Sequence, residues 1–222
     1  RRRADEMALI NEIGQAVGSL LHVEKIFSAV VHGLATRLGY PLVSIYLVQG
    51  DFLVLQDQVG YKTVLLRLPD SEGIMGRVVR TGEAVFVPDV RQEPDYLGAA
   101  PEVVSAIAVP VRREAEVLAV LNVEETRPGA LGEADVRVLT ALGAQIAVAM
   151  ENARLYQMQQ RRATQLLTIN EIGRRAASIL EPRELLEFAA NAIAQELGYF
   201  RVAILLRDEA DPEYMEIVAA NS

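Results

Sequence analysis

Asn122 and Glu124 stand two residues apart in the segment VLAVLNVEE, polar side chains set into an otherwise apolar strand pattern. A two-residue step puts both on one face of a strand. If that face is buried, the carboxamide and the carboxylate each need a hydrogen-bonding partner, and a bound polar molecule is one way to supply it; a strand-end Glu is more often simply solvated. Gly73 and Gly76, followed by Arg77 and Arg80, offer a second chemistry, backbone N–H groups turned toward an anion, with turn geometry as the plainer reason for two glycines. Asp89 after Pro88 has the place of a residue that caps or shapes a loop rather than one that catalyses. His22 and His32 lie ten apart with no third ligand in sight, so packed or surface histidines are expected in place of a metal or haem site. The chain has no cysteine, which excludes disulfides, thiolate metal sites, a cysteine nucleophile and any cofactor attached through cysteine.

Charge and hydropathy narrow the classes further. Lys and Arg number 22 against 30 Asp and Glu, a formal charge of −8, so the clustered basic footprint of a nucleic-acid surface is not expected. No apolar run approaches the roughly eighteen residues that cross a bilayer, and no direct membrane contact is expected. The opening Arg triplet runs into Asp5 and Glu6 rather than an apolar stretch, unlike a signal peptide. A cytoplasmic location is the default, with a membrane-anchored parent left open.

The elements that must position these residues come in a repeat. INEIG occurs at Ile10–Gly14 and again at Ile169–Gly173, and in the same register Leu38-Gly39-Tyr40 falls on Leu197-Gly198-Tyr199. Val43, Ile45 and Leu47 fall on Val202, Ile204 and Leu206, and roughly fourteen of thirty-eight aligned positions are identical. The chain therefore reads as an excerpt from a larger protein: one complete unit and the opening of a second. Residues 1–21 are expected to form an incoming helix, 22–132 the first domain, 133–180 a long exit helix, and 181–222 the start of the second copy.

Between Met7 and Leu38 apolar residues recur at helical spacing, and Gly39 supplies the stop. Leu42–Val48 and Phe52–Val59 alternate as strands around a Gln49-Gly50-Asp51 turn. A short helical stretch lies within Ser71–Gly82, a strand over Ala84–Val87, a polar loop to Pro101, and two further strands over Ser105–Val111 and Val117–Glu124. From Glu133 to about Leu180 nothing stops a helix, which at 1.5 Å per residue would extend about 70 Å. Leu139, Leu142, Ile146, Ala149, Ala153 and Tyr156 recur along it at alternating three and four, a heptad seam interrupted by QMQQRR. A second stripe of Leu166, Ile169, Gly173, Ala176 and Leu180 takes over on a neighbouring face. The helix is expected to change partners along its length, domain core first, exposed connector next and second domain last, and the first stripe is assigned to the dimer or connector helix, with a homodimer expected through the helices. Glycine costs about 1 kcal/mol inside a helix; Gly14 and Gly173 imply a close-approaching helix or a small kink, and Asn11 and Asn170 a register-fixing pair or merely a solvated one.

Helix, hairpin, GIMGRVVRTGEAVFVPDV, then AIAVPV, EVLAVLNVEE and a long exit helix resemble the GAF domain, a small-molecule sensor module common in bacterial signalling proteins. The resemblance covers about Val23 to Leu155, with the opening of a second copy from about Glu181. It implies an α+β fold: a central antiparallel sheet of five to six strands with helices on both faces, the first and last helices packed on one and a ligand pocket under short helices and loops on the other. Because Ser44 and Tyr46 become Ala203 and Leu205 in the repeat while Val43, Ile45 and Leu47 do not change, the variable face is assigned to the pocket and Tyr46 to its lining. The resemblance adds Ala106 and Ala108 with Val120, Asn122 and Glu124 from the sheet, and Met75, Phe86 and Tyr96 from the covering segments. The alternative is that these side chains merely fill a core beneath the loops.

Some GAF relatives reduce free methionine sulfoxide with pocket cysteines and acidic residues; this chain has no cysteine and offers Ala106 and Asn122 where the acidic residues are expected. Cysteine-attached bilin is excluded on the same ground, and the family's cyclic-nucleotide motif is not recognisable. A sensor of an unidentified small molecule, relaying its state through a dimerising helix, is the expected function. A dimerisation and transmission scaffold without ligand is the alternative, and an enzyme the third.

Overall fold

The computed structural model describes residues 19–98, 100–179, 181–207, 211 and 214–221. The first INEIG, with Asn11 and Gly14, lies outside the described residues, as do most of the incoming helix and Leu180. The chain divides into two compact units, residues 1–157 and 158–222.

In the first unit, helix α1 (Val23–Gly33) buries Ile26, Phe27, Val30 and Val31 at the three- and four-residue spacing of one helical face. It widens into a π-helical turn over Leu34–Leu38 and stops at Gly39, whose φ of 74° is the left-handed conformation that glycine adopts without penalty. Strands β1 (Leu42–Gln49) and β2 (Phe52–Val59) form the hairpin. A short strand β3 (Arg67–Pro69) pairs with β2, helix α2 (Gly73–Thr81) follows, and β4 (Val85–Val87), β5 (Ser105–Arg113) and β6 (Glu116–Glu125) complete the sheet. All pairings are antiparallel in the order β3-β2-β1-β6-β5-β4, six strands with β1 and β6 central. Pro110 is tolerated in β5 because β4 pairs only with Ala106 to Ala108, leaving no partner on that edge for the N–H it lacks.

The two sheet faces bury different material. On one, Val43, Ile45, Ile107, Val109, Leu121 and Val123 pack against α1 and the start of helix α3 (Glu133–Ser178). On the other, Leu42, Tyr46, Leu53, Ala106, Ala108 and Val120 meet Ile74, Met75 and Val78 of α2 together with Val87, Val90 and Val103. The anchoring of α3 is specific: Asp135 accepts hydrogen bonds from the Gly132 N–H at 2.9 Å and the Tyr40 hydroxyl at 2.7 Å. These satisfy a free helix-terminal donor and tie the helix start to the α1–β1 corner.

The stripe Leu139, Leu142, Ile146, Ala149 and Ala153 is not a dimer seam. Each of the five is buried against the sheet of its own chain, while Tyr156, the last of the series, is 41% exposed. The three-four spacing that marks a coiled-coil seam also marks a helix lying on a sheet, and burial decides between them.

The second unit contains the rest of α3, helix α4 (Pro182–Leu197), which opens on proline and closes at Gly198 with φ 71°, and a hairpin of β7 (Ala203–Arg207) and β8 (Met215–Ala220). Among the described residues no helix is long and apolar enough to cross a membrane.

Two glycines of α3 differ in physical setting. A Cβ on Gly143 would stand 2.6 Å from the Pro110 carbonyl oxygen, so helix and strand meet there backbone to backbone; around Gly173 nothing lies within 4 Å. Among the described residues, therefore, no element explains Gly173 by close approach. Gly143→Ala is expected to lower stability by about 1–3 kcal/mol through overpacking, whereas Gly173→Ala should raise it by about 0.5–1 kcal/mol. Urea midpoints of the two variants check this, and a stabilising Gly143→Ala would contradict the packing described.

Candidate ligand-binding site

Strand β6 lies between β1 and β5, and its residues Asn122 and Glu124 project to the face away from α1 and α3, the same side as Val120. Their cross-strand neighbours are mostly small: Ser44 and Ala108 flank Asn122, and Leu42 and Ala106 flank Glu124. Larger side chains there would bury the two polar groups beneath hydrocarbon. Small ones leave them facing the cover.

The cover brings two tyrosines onto them. The Tyr96 hydroxyl, from the loop after β4, donates to Glu124 Oε1 at 2.9 Å. Tyr61, just beyond β2, receives a hydrogen bond from Asn122 Nδ2 at 3.4 Å, and Ser44 and Glu124 stand close enough to act on its hydroxyl. Tyr46 of β1 turns its hydroxyl to the Leu65 carbonyl at 2.8 Å. Glu124, Asn122, Tyr46 and Ser44 are all at most 5% exposed, so a polar cluster is enclosed within an apolar surround.

Burial pushes the Glu124 carboxyl above its ordinary range, against hydrogen bonds from Tyr96, Asn122 and Tyr61 that favour the carboxylate. The phenols of Tyr46, Tyr61 and Tyr96 are pushed up in turn, first by burial and then by the Glu124 charge, so they act as neutral donors. Among the described residues, Asn122 Oδ1 is buried with no hydrogen-bond partner.

Of the residues expected from sequence to line a site, Tyr46, Met75, Tyr96, Ala106, Asn122 and Glu124 share this face. Tyr96, Asn122 and Glu124 form its polar centre, while Met75 belongs to the apolar wall contributed by α2. Phe86 does not belong: on β4 it pairs with Ile107 and packs against the helix-side core, while its neighbour Val87 takes the site face. Strand alternation, applied to three residues instead of the whole covering segment, would have excluded it. Tyr61 is the residue that sequence reasoning missed. Its signal was Gly60 before it, a left-handed glycine with φ 92° whose added Cβ would meet the Pro41 carbonyl, which marks a bend that returns the chain over the sheet.

The remaining polar candidates serve the scaffold. Arg77 Nη2 donates to Glu93 at 2.7 Å and to Asp95 at 3.0 Å, fastening α2 to the loop that carries Tyr96. Arg80 donates to the Ser71 carbonyl, and Gly76 sits where a Cβ would stand 2.5 Å from the Asp70 carbonyl oxygen. Asp89 accepts from the Arg91 backbone and guanidinium, which hold its carboxyl well below the usual range and shape the loop. His32 lies 3.8 Å from the Asp57 carboxylate. Among the described residues no group of three or more His, Asp or Glu is placed to hold a metal ion.

Residues 21–151 match the family model described as GAF domain, and the chain belongs to that family. Over 230 residues it is 26% identical to the Nif-specific regulatory protein of Azospirillum lipoferum, covering 92% of this chain and 35% of that protein. It is 30% identical over 168 residues to nitrogen fixation protein VnfA of Azotobacter vinelandii, covering 67% and 31%. The chain thus spans about a third of the length of the curated relatives it matches. Among solved structures it is similar to a free methionine-R-sulfoxide reductase from Neisseria meningitidis in complex with its substrate, with a TM-score of 0.67 at 23% identity over 70% of this chain and 94% of that one. The GAF domain of an Acinetobacter phosphoenolpyruvate-protein phosphotransferase gives a TM-score of 0.61 at 24% identity over 67% and 94%. At such identities the likeness is one of fold.

Proposed function

We propose that this GAF domain is the small-molecule-sensing module of a longer cytoplasmic signal-transduction protein. The observation that carries the reading is the enclosed polar cluster around Glu124 and Asn122, with an acceptor that no group among the described residues satisfies. A domain that kept only its packing would gain by filling that face with hydrocarbon, because an unpaired buried polar atom costs about 1–3 kcal/mol. Ligand entry requires the cover bearing Tyr61 and Tyr96 to open and reclose. That movement biases the arrangement of the sheet and its helices, and α3 carries the bias onward. The domain has no catalytic role: the reductase activity named for one structural neighbour stays with that protein, since this chain offers no cysteine to be oxidised.

A second copy is proposed to begin at about residue 181, after an exit helix over 133–180 and a first domain over 22–132. In support, α4, β7 and β8 follow one another in the order of α1, β1 and β2, at positions given by the INEIG repeat. Homodimerisation, with the buried stripe excluded, is assigned to the other face of α3. There Val148, Leu155, Leu166 and Ile169, with Asn152, Gln159 and Arg162 between them, keep the three-four spacing while remaining exposed.

Native mass spectrometry of the chain, followed by a thermal-shift screen with amino acids, amines, nucleotides and small organic anions, tests the proposal. A compound that raises Tm with concentration, and loses that effect in Asn122→Leu, is expected. A dimer that responds to nothing in the screen would replace the sensor with a transmission scaffold.

A further inference from the structure

We infer that the site takes a small molecule bearing a protonated amine, its N–H groups directed to the Glu124 carboxylate and to Asn122 Oδ1. This inference rests on the ligand-binding reading and adds the chemical class of the ligand. On this face the group left unsatisfied among the described residues is an acceptor: Asn122 Oδ1 has no hydrogen-bond partner, in a residue 3% exposed. Glu124 Oε1 accepts from the neutral Tyr96 hydroxyl, and the other groups that favour its charged form, Asn122 and Tyr61, are neutral as well, so acceptor positions of the carboxylate remain open. Neutral donors also leave its charge without a counterion. Among the described residues no Lys, Arg or His forms an ion pair with Glu124, and Arg77, on the covering helix α2, is paired with Glu93 and Asp95.

The other ligand classes meet specific penalties. An anion would face a buried carboxylate with no cation between them, and a like-charge pair at close range is strongly unfavourable. An apolar molecule or a quaternary ammonium brings no N–H and would leave Asn122 Oδ1 unpaired. A primary ammonium carries three donors and one charge; it can satisfy the carboxylate, the carboxamide oxygen and a tyrosine oxygen together. Small neighbours at Ser44, Ala106 and Ala108 allow the head group to reach the sheet, and Met75 with Val120 offers hydrocarbon to the ligand's remainder.

The test is a calorimetric and thermal-shift titration of the full chain at pH 8 with methylamine, n-butylamine and phenethylamine. Each is set against its own alcohol and carboxylate, and against tetramethylammonium, at one ionic strength. At least one amine is expected to bind tenfold or more tightly than its alcohol, with no measurable binding of the matching carboxylate. Glu124→Gln should weaken that amine at least tenfold; should this variant fail to fold, Asn122→Leu, which keeps the volume and removes the acceptor, is expected to do the same. No amine bound better than its alcohol, a carboxylate bound best, or amine binding unchanged in both variants would overturn the inference. A carboxylate or nucleotide that binds and is lost in Asn122→Leu would keep the sensor reading while removing the amine; silence throughout would remove both.

Discussion

Replacing Leu142 with alanine is expected to cost about 3–4 kcal/mol and to unfold the first unit, not to separate a dimer. Leu142 is fully buried between α3 and the sheet, among Ile146, Leu139 and the β5 and β6 side chains, and truncating such a leucine removes both its burial and the filling of its space. The same substitution at Leu155, 41% exposed on the opposite face, should leave the monomer within about 0.5 kcal/mol and act on association if it acts at all. Denaturation of the two variants, with their masses in solution, separates the faces. Were Leu142→Ala to give a stable monomer from a dimer, the burial described for α3 would be wrong.

The pH dependence of stability should carry a sign opposite to that of an ordinary salt-bridged carboxylate. Burial raises Glu124 above its unfolded value of about 4.5, so the folded chain holds this proton more tightly than the unfolded chain does. Its contribution is therefore most favourable below pH 4.5, declines as pH rises between the unfolded and the raised folded value, and is constant above both. Glu124→Gln removes this dependence. The variant is expected to melt above the wild type at pH 8 and level with it at pH 4, and the difference curve between the two removes the titration of every other group. A variant less stable than the wild type at pH 8 by as much as at pH 4 would mean that the carboxylate is compensated by a partner.

Much of the fold was legible because binary patterning leaves few alternatives. The hairpin, β5, β6 and the break at Gly39 follow from alternation and from glycine, and the two faces of β1 followed from comparing Val43, Ile45 and Leu47 with their repeats. Spacing without burial left one assignment open. Leu139 to Ala153 satisfy a coiled-coil seam and a sheet-packing helix equally, and only the tertiary partner tells them apart. Strand β3 is three residues long, too short for any periodicity to register. At the site, Asn122 and Glu124 stood out as polar residues in an apolar strand, but their partners come from residues 61 and 96, whose approach depends on loop paths that local sequence does not encode. Phe86 was misplaced by one step of alternation.

The most direct measurement is an NMR titration of the chain carrying 13C-labelled tyrosine with the compound that gives the largest thermal shift. Of the seven tyrosines, three surround Glu124 and the others lie elsewhere, so the ring signals report location as well as binding. Saturable shifts at Tyr46, Tyr61 and Tyr96, with Tyr156, Tyr199 and Tyr214 unmoved, are the predicted result. Shifts confined to Tyr156 or to the second unit, with the three site tyrosines silent, would contradict a ligand site on this face of the sheet.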